Sequence, residues 1–354
     1  MPVAWSPRHG GHAPHGGYWL GIREPGDEEP ERGDLLRDGL AGAGAKIVEP
    51  PDLGLEPILA VHDPAFVDFM SRAYPAWVAE GHLENPGQPH VTGYLFANAG
   101  FAARYTGRRP ATIRAELGLY AVDTMTLISE GTFEAACSAV HAAVHAADLV
   151  GTGARGAYAA VRPPGHHAGP AFFGGSCYFN NAAAAAQRLV AKGVERVAIV
   201  DIDAHQGNGT QEIFWDRGDV LYTSVHVDPA EGWFPHIVGY EDERGGGAGE
   251  GRNLNVPVPA GSGDDAWLAG LDRLLLRTRE HSAGAIVVSL GVDGAEHDLA
   301  SPLRISREGF SEAGRRIGDL GLPTVFVQEG GYDLSRLVDL VLAVLTGFES
   351  SGEG

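Results

Sequence analysis

From about Gly156 onward, the chain alternates short apolar segments with helical patterns, and this rhythm limits the possible folds more than any other feature. Apolar runs such as VAIV (197–200) and AIVV (285–288) are each followed by a longer helical stretch. Runs this short and this rich in β-branched residues are typical of strands buried on both faces of a parallel sheet. The alternation therefore predicts an α/β fold with a mostly parallel sheet and helices on both faces.

The composition excludes several functional classes. The 354 residues include 26 Lys and Arg against 46 Asp and Glu, so the formal charge of -20 disfavours nucleic-acid partners and suits a cationic or neutral ligand. Cys137 and Cys177 are the only cysteines, too few for a disulfide framework or a cysteine-rich zinc site. No signal-peptide pattern or long apolar run predicts a membrane segment. We expect a soluble, cytoplasmic protein.

Three segments raise separate questions. Residues 81–114 are rich in Gly, Pro, Asn and Arg, which predicts a long loop excursion, and the glycine-rich stretch around Gly245 is interpreted as a mobile surface loop. His141 and His145 lie four residues apart on a predicted helix. This spacing is compatible with a metal pair, but it also arises by chance on helix faces that pack or face solvent, which is the interpretation we favour.

Polar clusters follow four of the predicted strands. Their sequences are VRPPGHHAG, DIDAHQGNG, SLGVDG and VQEGGYD. Open α/β sheets bind their ligands beyond the carboxyl ends of the strands. The clusters therefore predict a functional site at that edge of the sheet.

The second cluster indicates a metal site. Along an extended strand alternate side chains share a face, so Asp201, Asp203 and His205 should project to one side. A catalytic zinc ion uses three protein ligands drawn from His and Asp, and keeps an open position for water or substrate. Asp203, His205 and Asp293 can supply that set. A single aspartate after a strand more often caps a helix, but the joint pattern favours a metal.

The remaining polar residues suit general acid–base chemistry. His166 and His167 could exchange protons with a water and a leaving amine near neutral pH. Tyr332, which follows two glycines, offers a phenolic donor to an oxyanion formed from a carbonyl. Asp201 and Asn208 are candidates for partners that fix the two imidazoles.

At this point the chain resembles a known family, the zinc-dependent deacetylases, and most closely the bacterial acetylpolyamine amidohydrolases related to histone deacetylases. The matching segments run in order as RPPGHHAG, FGGSCYFNNAA, DIDAHQGNGTQEIF, SVHVDPAEGWFPH, VVSLGVD and EGGY. The resemblance covers nearly the whole chain, which implies one deacetylase-like domain over residues 1–354 with the arginase/deacetylase fold and about eight strands. It also implies hydrolysis of the amide of an acylated amine by metal-activated water.

The resemblance implies a role for each motif residue. One Zn²⁺ per chain would bind Asp203, His205 and Asp293, with His166 and His167 as the acid–base pair and Tyr332 polarising the carbonyl. Asp201 would orient His166, and Asn208 would partner His167. Because an amide carries no charge, the pKa of His167 should lie below that of a carboxylate-paired histidine. A structural K⁺ ion is implied at Asp201, Asp203, His205, Ser224 and Val225.

The substrate-binding region is also implied by the resemblance, and here the sequence departs from the family. Phe234 and Gly175 match wall positions, but Ser176 replaces a second aromatic, which should widen the tunnel. Acidic rim positions of polyamine enzymes correspond to Arg114, Met125 and a site near Ala13, and Gln206 replaces a histidine. We therefore predict an acylated amine bulkier or less cationic than a linear polyamine, unless Glu116 or Asp123 supplies the carboxylate. The 81–114 excursion implies a homodimer.

Alternative functions remain at this stage. Arginase-type hydrolases share the architecture, but Gly207 and Gly291 stand where a second metal would need aspartates, so a single metal is favoured. A non-catalytic sensor of acylated amines is disfavoured, because Tyr332 and both histidines of the pair are present. Among enzymatic substrates, a small acetylated amine, a protein acetyl-lysine and an N-acyl specialised metabolite all stay open.

Overall fold

The computed structural model describes residues 1–97 and 108–351. Its strands are β1 (Pro2–Ala4), β2 (Gly17–Trp19), β3 (Ile22–Glu24), β4 (Lys46–Val48), β5 (Gly156–Ala159), β6 (Val197–Asp201), β7 (Val220–Val227), β8 (Asn253–Val258), β9 (Ala285–Leu290) and β10 (Thr324–Gln328). Its helices are α1 (Glu31–Gly42), α2 (Glu56–Leu59), α3 (Pro64–Ala79), α4 (Ile113–Glu116), α5 (Thr132–Gly151), α6 (Asn181–Ala191), α7 (Asn208–Phe214), α8 (Asp264–Glu280), α9 (Arg307–Gly318) and α10 (Leu337–Ser350).

Eight strands form one sheet in the order β4-β1-β5-β10-β9-β6-β7-β8, and every neighbouring pair is parallel. The predicted α/β fold with about eight mostly parallel strands is therefore confirmed. Strands β2 and β3 lie apart from this sheet and form a small antiparallel hairpin.

Alternation along the strands explains why helices cover both faces of the sheet. In β10, Val325 and Val327 belong to the apolar cluster that includes α3, α5 and α6, whereas Phe326 between them belongs to the cluster of α1, α8, α9 and α10. All three side chains are fully buried. A strand whose two faces are both apolar needs a helical layer on each side, which is the arrangement found.

Helix caps fix where two of these helices begin. The side chain of Asn180 accepts a hydrogen bond from the amide of Ala183 at 2.9 Å, which starts the alanine-rich α6. The Ser306 hydroxyl accepts from the amide of Gly309 at 3.1 Å and starts α9. Both caps satisfy amides that have no partner inside the first helical turn.

The structure also bears on the three segments singled out in the sequence. Part of the predicted 81–114 excursion, residues 98–107, lies outside the described residues. The glycine-rich stretch lies at the surface with two anchoring contacts: the Gly246 amide donates to the Trp215 carbonyl at 2.9 Å, and Gly249 is buried where a methyl group would overlap that same carbonyl. The buried His141 donates from Nε2 to the Gly54 carbonyl at 2.8 Å, as a packed helix face requires. Within the described residues, no helix combines the length and apolarity needed to cross a membrane.

Candidate active site

The four polar clusters meet at the carboxyl edge of the sheet. Strands β5, β10, β9 and β6 are consecutive neighbours, so their ends lie side by side. His166 and His167 follow β5, Asp203 and His205 follow β6, Asp293 follows β9, and Tyr332 follows β10. The parallel register brings residues more than 160 positions apart in sequence into one site.

Three of these residues form a compact group of potential metal ligands. Ligand atoms of Asp203, His205 and Asp293 all lie within 4.8 Å of one another. His205 Nδ1 lies 2.9 Å from a carboxylate oxygen of Asp293 and 3.2 Å from one of Asp203. Burial and the neighbouring charge of Asp203 together raise the pKa of Asp293 to about 6. Two buried carboxylates with one imidazole form a site whose negative charge a divalent cation would neutralise.

Glycines make room for these ligands. A methyl group at Gly291 would overlap the carboxylate of Asp203, and one at Gly330 would overlap that of Asp293. The Gly330 amide also donates to Asp203 Oδ2 at 2.8 Å, which fixes one carboxylate oxygen. With two carboxylates and one imidazole, the donor set fits a single Zn²⁺ ion, and Gly207 and Gly291 provide no ligands for a second.

The two histidines of the pair have different partners. His166 Nδ1 donates to Asp201 at 3.1 Å, whereas His167 Nδ1 donates to the side-chain oxygen of Asn208 at 2.7 Å. Burial lowers the pKa of His166, but the charges of Asp203 and Asp201 outweigh it and raise that pKa to about 10. Burial lowers the pKa of His167 well below its ordinary value, and the neighbouring His166 adds to the effect. The pair therefore combines one protonated and one neutral imidazole near neutral pH.

Tyr332 is held by groups that the sequence did not indicate. The Arg32 guanidinium lies 4.7 Å from the centre of the Tyr332 ring and donates to the Gly331 carbonyl at 2.8 Å. The Tyr332 amide donates to Asp298 at 2.6 Å. Burial raises the pKa of Tyr332 well above its ordinary value, so the phenol keeps the proton it would donate to an oxyanion.

Two further buried carboxylates hold the segments that carry the histidine pair and Tyr332. Glu329 accepts the amides of Gly165 and His166 at 2.6 and 3.1 Å, and so joins the end of β10 to the histidine pair. Glu28 pairs with Arg32 at 3.0 Å and with Arg162 at 2.8 Å. Glu329 lies within the EGGY motif, which could have indicated it, whereas Arg32, Glu28 and Asp298 carry no local sequence signal.

The positions expected to hold K⁺ lie at adjoining strand ends. Asp201 in β6 and Ser224 in β7 are register partners, and both are fully buried. Val225 is the next residue of β7, and Asp203 and His205 follow β6 directly.

The site forms the floor of a cavity of about 1230 Å³. His167, His205 and Tyr332 line it, together with the expected substrate-binding residues Phe234, Ser176 and Gly175. The Phe234 ring stands perpendicular to the His167 ring, with centroids 4.8 Å apart.

The backbone of the opposite wall is held by side chains of one neighbouring segment. The Gly175 amide donates to Asp123 at 2.6 Å, and the Ser176 amide donates to the Thr126 hydroxyl at 2.9 Å. Gly175 and Ser176 both have a positive φ, 55° and 63°, which is a left-handed conformation that few residue types adopt. The hydrogen bonds to Asp123 and Thr126 therefore hold the backbone in an uncommon turn.

At the mouth, the structure corrects two expectations. Arg114 is exposed on α4 and does not line the cavity of its own chain. Glu116 is buried in ion pairs with Arg72 at 2.6 Å and Arg109 at 2.9 Å, which makes it unavailable to a substrate. The part of the lining that the structure describes contains no Lys or Arg. Its acidic residues are Glu24, Asp27, Glu28, Asp123 and Glu212.

Comparisons with known proteins agree with this geometry. Residues 27–348 match the family model of the histone deacetylase domain. The chain is 42% identical to acetylpolyamine amidohydrolase 1 of Pseudomonas aeruginosa over 94% of both chains, and 41% identical to the acetylpolyamine amidohydrolase of Mycoplana ramosa over 91% of this chain and 92% of that one. The crystal structure of acetylpolyamine aminohydrolase from Burkholderia pseudomallei superposes with a TM-score of 0.93 at 36% identity, covering 99% of both chains. The chain therefore belongs to the histone deacetylase family.

Proposed function

We propose that this protein is a Zn²⁺-dependent deacetylase that hydrolyses the amide of an acetylated, positively charged amine. The observation that carries the proposal is the grouping of Asp203, His205 and Asp293 beside the histidine pair and Tyr332, at the floor of an acid-lined cavity. Relatives that match nearly the whole chain bear the name acetylpolyamine amidohydrolase, which supports this substrate class. Deacetylation of a protein lysine, the alternative considered from the sequence, is not favoured.

The chemistry divides among four side chains. Zn²⁺ bound at the three ligands would lower the pKa of a water and polarise the substrate carbonyl. His167, neutral and with Nδ1–H bonded to Asn208, has its Nε2 lone pair free to take a proton from the attacking water. His166, bonded through Nδ1 to Asp201, can carry the proton that the leaving amine takes up. The Tyr332 hydroxyl donates to the carbonyl oxygen as negative charge develops there.

The substrate prediction from the sequence now divides into two parts. The expectation of a less cationic substrate depended on Arg114 and Met125. Arg114 lies outside the cavity and Met125 lines it, but the acidic residues of the lining and the net charge of -20 favour a cation instead. The expectation of a bulkier substrate depends on Ser176, which does line the cavity, and it stays a prediction.

Further predictions concern partners and location. We expect K⁺ at Asp201, Asp203, His205, Ser224 and Val225, which removal of K⁺ from the assay buffer would test. We expect a homodimer, which light scattering would test. A cytoplasmic location remains an expectation based on two cysteines that are both unpaired and buried.

An activity screen tests the proposed function. Protein loaded with Zn²⁺ should be assayed against acetylputrescine and acetylspermidine, acetyl-lysine peptides and bulkier N-acetyl amines. We expect the highest kcat/KM among the small cationic amines. A clear preference for acetyl-lysine peptides, or no hydrolysis of any acetylated amine, would contradict the proposal.

A further inference from the structure

One wall of the cavity is attached to the sheet by a network of amide side chains around a single carboxylate. We call it the Glu243 network, and it consists of Glu243, Gln211, Gln206, Asn253 and Asn255. The wall in question is the segment 232–238, which includes Phe234 and lies between β7 and β8. Glu243 itself does not line the cavity.

Glu243 accepts hydrogen bonds from three donors. The Gly239 amide lies 2.9 Å from one carboxylate oxygen and 3.1 Å from the other, the Gln211 side-chain amide lies at 2.8 Å, and that of Asn255 at 2.9 Å. A carboxylate has no hydrogen to donate, so it suits a position surrounded by donors, and bonds to a charged acceptor are stronger than neutral ones.

The network continues to the segment after β6, which carries the proposed metal ligands Asp203 and His205. Gln211 Oε1 accepts from the side-chain amides of Gln206 at 2.8 Å, Asn255 at 3.0 Å and Asn253 at 3.1 Å. Gln206 follows His205 directly in sequence. The glutamine that replaces a family histidine is therefore the link between the proposed zinc-binding segment and the network.

Gly239 is held from its other side as well. Its carbonyl accepts from His226 Nε2 at 2.9 Å, and His226 Nδ1 accepts from the Ser224 hydroxyl at 2.8 Å. Gly239 has a φ of 106°, and a Cβ there would stand 3.0 Å from both Gln206 Cγ and His226 Nε2. The position requires glycine, and the half-buried Glu243 and the buried His226 fix its peptide groups at the end of the wall segment.

We propose that Glu243 is a positioning residue that controls substrate binding through Phe234. By holding Gly239, Glu243 fixes the wall segment so that the Phe234 ring stays against His167 and borders the path of the substrate. The inference rests on the proposed deacetylase function, because Phe234 matters as a wall only if a substrate enters this cavity. Glu243 has no contact with the reacting atoms, so it should act on binding more than on the chemical step.

The first test replaces the acceptor by a group that also donates. In Glu243→Gln, the new amide would present hydrogens to a position already surrounded by donors. We expect the KM for acetylputrescine to rise about 10-fold while kcat changes less than about 3-fold. Glu241→Gln is the matched control, because Glu241 lies in the same segment but is exposed, and its one ion pair within the described residues is with Arg273. An unchanged KM in Glu243→Gln, or an equal rise in both variants, would overturn the proposal.

A second test asks whether the effect passes through Phe234. Phe234→Ala should raise KM by itself, and adding Glu243→Gln to that variant should raise it by less than about 2-fold more, because the positioned ring is already gone. Additive effects of the two substitutions would show that Glu243 acts elsewhere.

An exchange of the two side chains separates positioning from simple loss of folding. Combining Glu243→Gln with Gln211→Glu keeps one carboxylate and one amide in contact. The bond between positions 211 and 243 reverses its direction, while an oxygen remains at position 243 to accept from Gly239 and at position 211 to accept from Gln206. We expect hydrogen–deuterium exchange of peptides covering 232–243 to accelerate in Glu243→Gln and to slow again in the exchanged variant. The exchange measurement needs no substrate, so it would test Glu243 even if the proposed activity were absent. Equal exchange rates in wild type and Glu243→Gln would contradict the inference.

Discussion

The floor and the mouth of the cavity are built in different ways. At the floor, every proposed catalytic side chain lies at the end of a strand or in the segment that follows it, and the hydrogen bond from His166 to Asp201 joins the segment after β5 to β6, across the ends of β10 and β9. At the mouth, the walls come from the β2–β3 hairpin, the segment 122–126 and the segment 232–238. The Tyr18 amide of β2 donates to the Thr124 carbonyl at 3.1 Å, so the hairpin is held by a loop and not by the central sheet.

This difference separates the chemistry from the choice of substrate. A side chain at the end of a buried parallel strand is held by the whole sheet, which suits groups that must be preorganised for a transition state. A wall made of loops depends on a few side-chain bonds, such as Asp123 to Gly175 and Glu243 to Gly239. Changes at the floor should therefore lower kcat by orders of magnitude, and changes at the mouth should alter KM by much less.

The largest effect is expected from loss of a metal ligand. His205→Ala should bind little Zn²⁺ and should lower kcat/KM more than about 1,000-fold, because it removes one of the three proposed ligands and the only nitrogen among them. Metal analysis of the wild type should give close to one zinc per chain. His297→Ala is the control, since that imidazole is exposed and lies outside the cavity. A stoichiometry near two in the wild type would contradict the single-metal site.

The next largest effect is expected from Tyr332. Tyr332→Phe removes a hydrogen bond that strengthens only as charge develops on the carbonyl oxygen, so kcat should fall about 100-fold to 1,000-fold with little change in KM. Steady-state kinetics would measure both constants. Tyr94→Phe, at an exposed tyrosine, should leave both unchanged. Turnover close to wild type in Tyr332→Phe would remove this residue from the mechanism.

The same division explains what the sequence could predict. The sheet and the floor could be predicted because period-two alternation and the position of polar clusters at strand ends follow from local sequence. Arg32 and Asp298 were missed because each reaches the end of β10 from a distant segment that carries no motif. The mouth was predicted least well: Arg114 and Glu116 lie on a short helix whose side chains pair with α3 or face solvent.

A smaller effect at the floor should appear in the pH dependence. Asn208→Asp would place a negative charge beside His167 and raise its lowered pKa by about 1–2 units. Since His167 must be neutral to accept a proton, activity rises as pH increases through this pKa, so the acidic limb of the kcat/KM profile should move to higher pH by that amount. An acidic limb at the same pH in both proteins would mean that a different group governs it.

The smallest effects are expected at the mouth, and a large effect there would contradict the division between floor and mouth. Glu24 and Asp27 line the cavity near its opening, so Glu24→Gln with Asp27→Asn should raise the KM for acetylspermidine about 3-fold to 5-fold at low ionic strength. Water and salt reach these carboxylates, so the effect should shrink toward nothing near 1 M salt, where charges are screened within about 3 Å.

Arg114→Ala tests whether a charge outside the cavity also affects substrate binding. Because Arg114 is exposed and does not line the cavity, KM should stay within about 1.5-fold of wild type, well inside the range of a screened surface charge. If Arg114→Ala instead lowered KM for the dicationic substrate, a loop rearrangement on substrate binding would bring this arginine to the rim, and the mouth would be set by motion rather than by the walls described above.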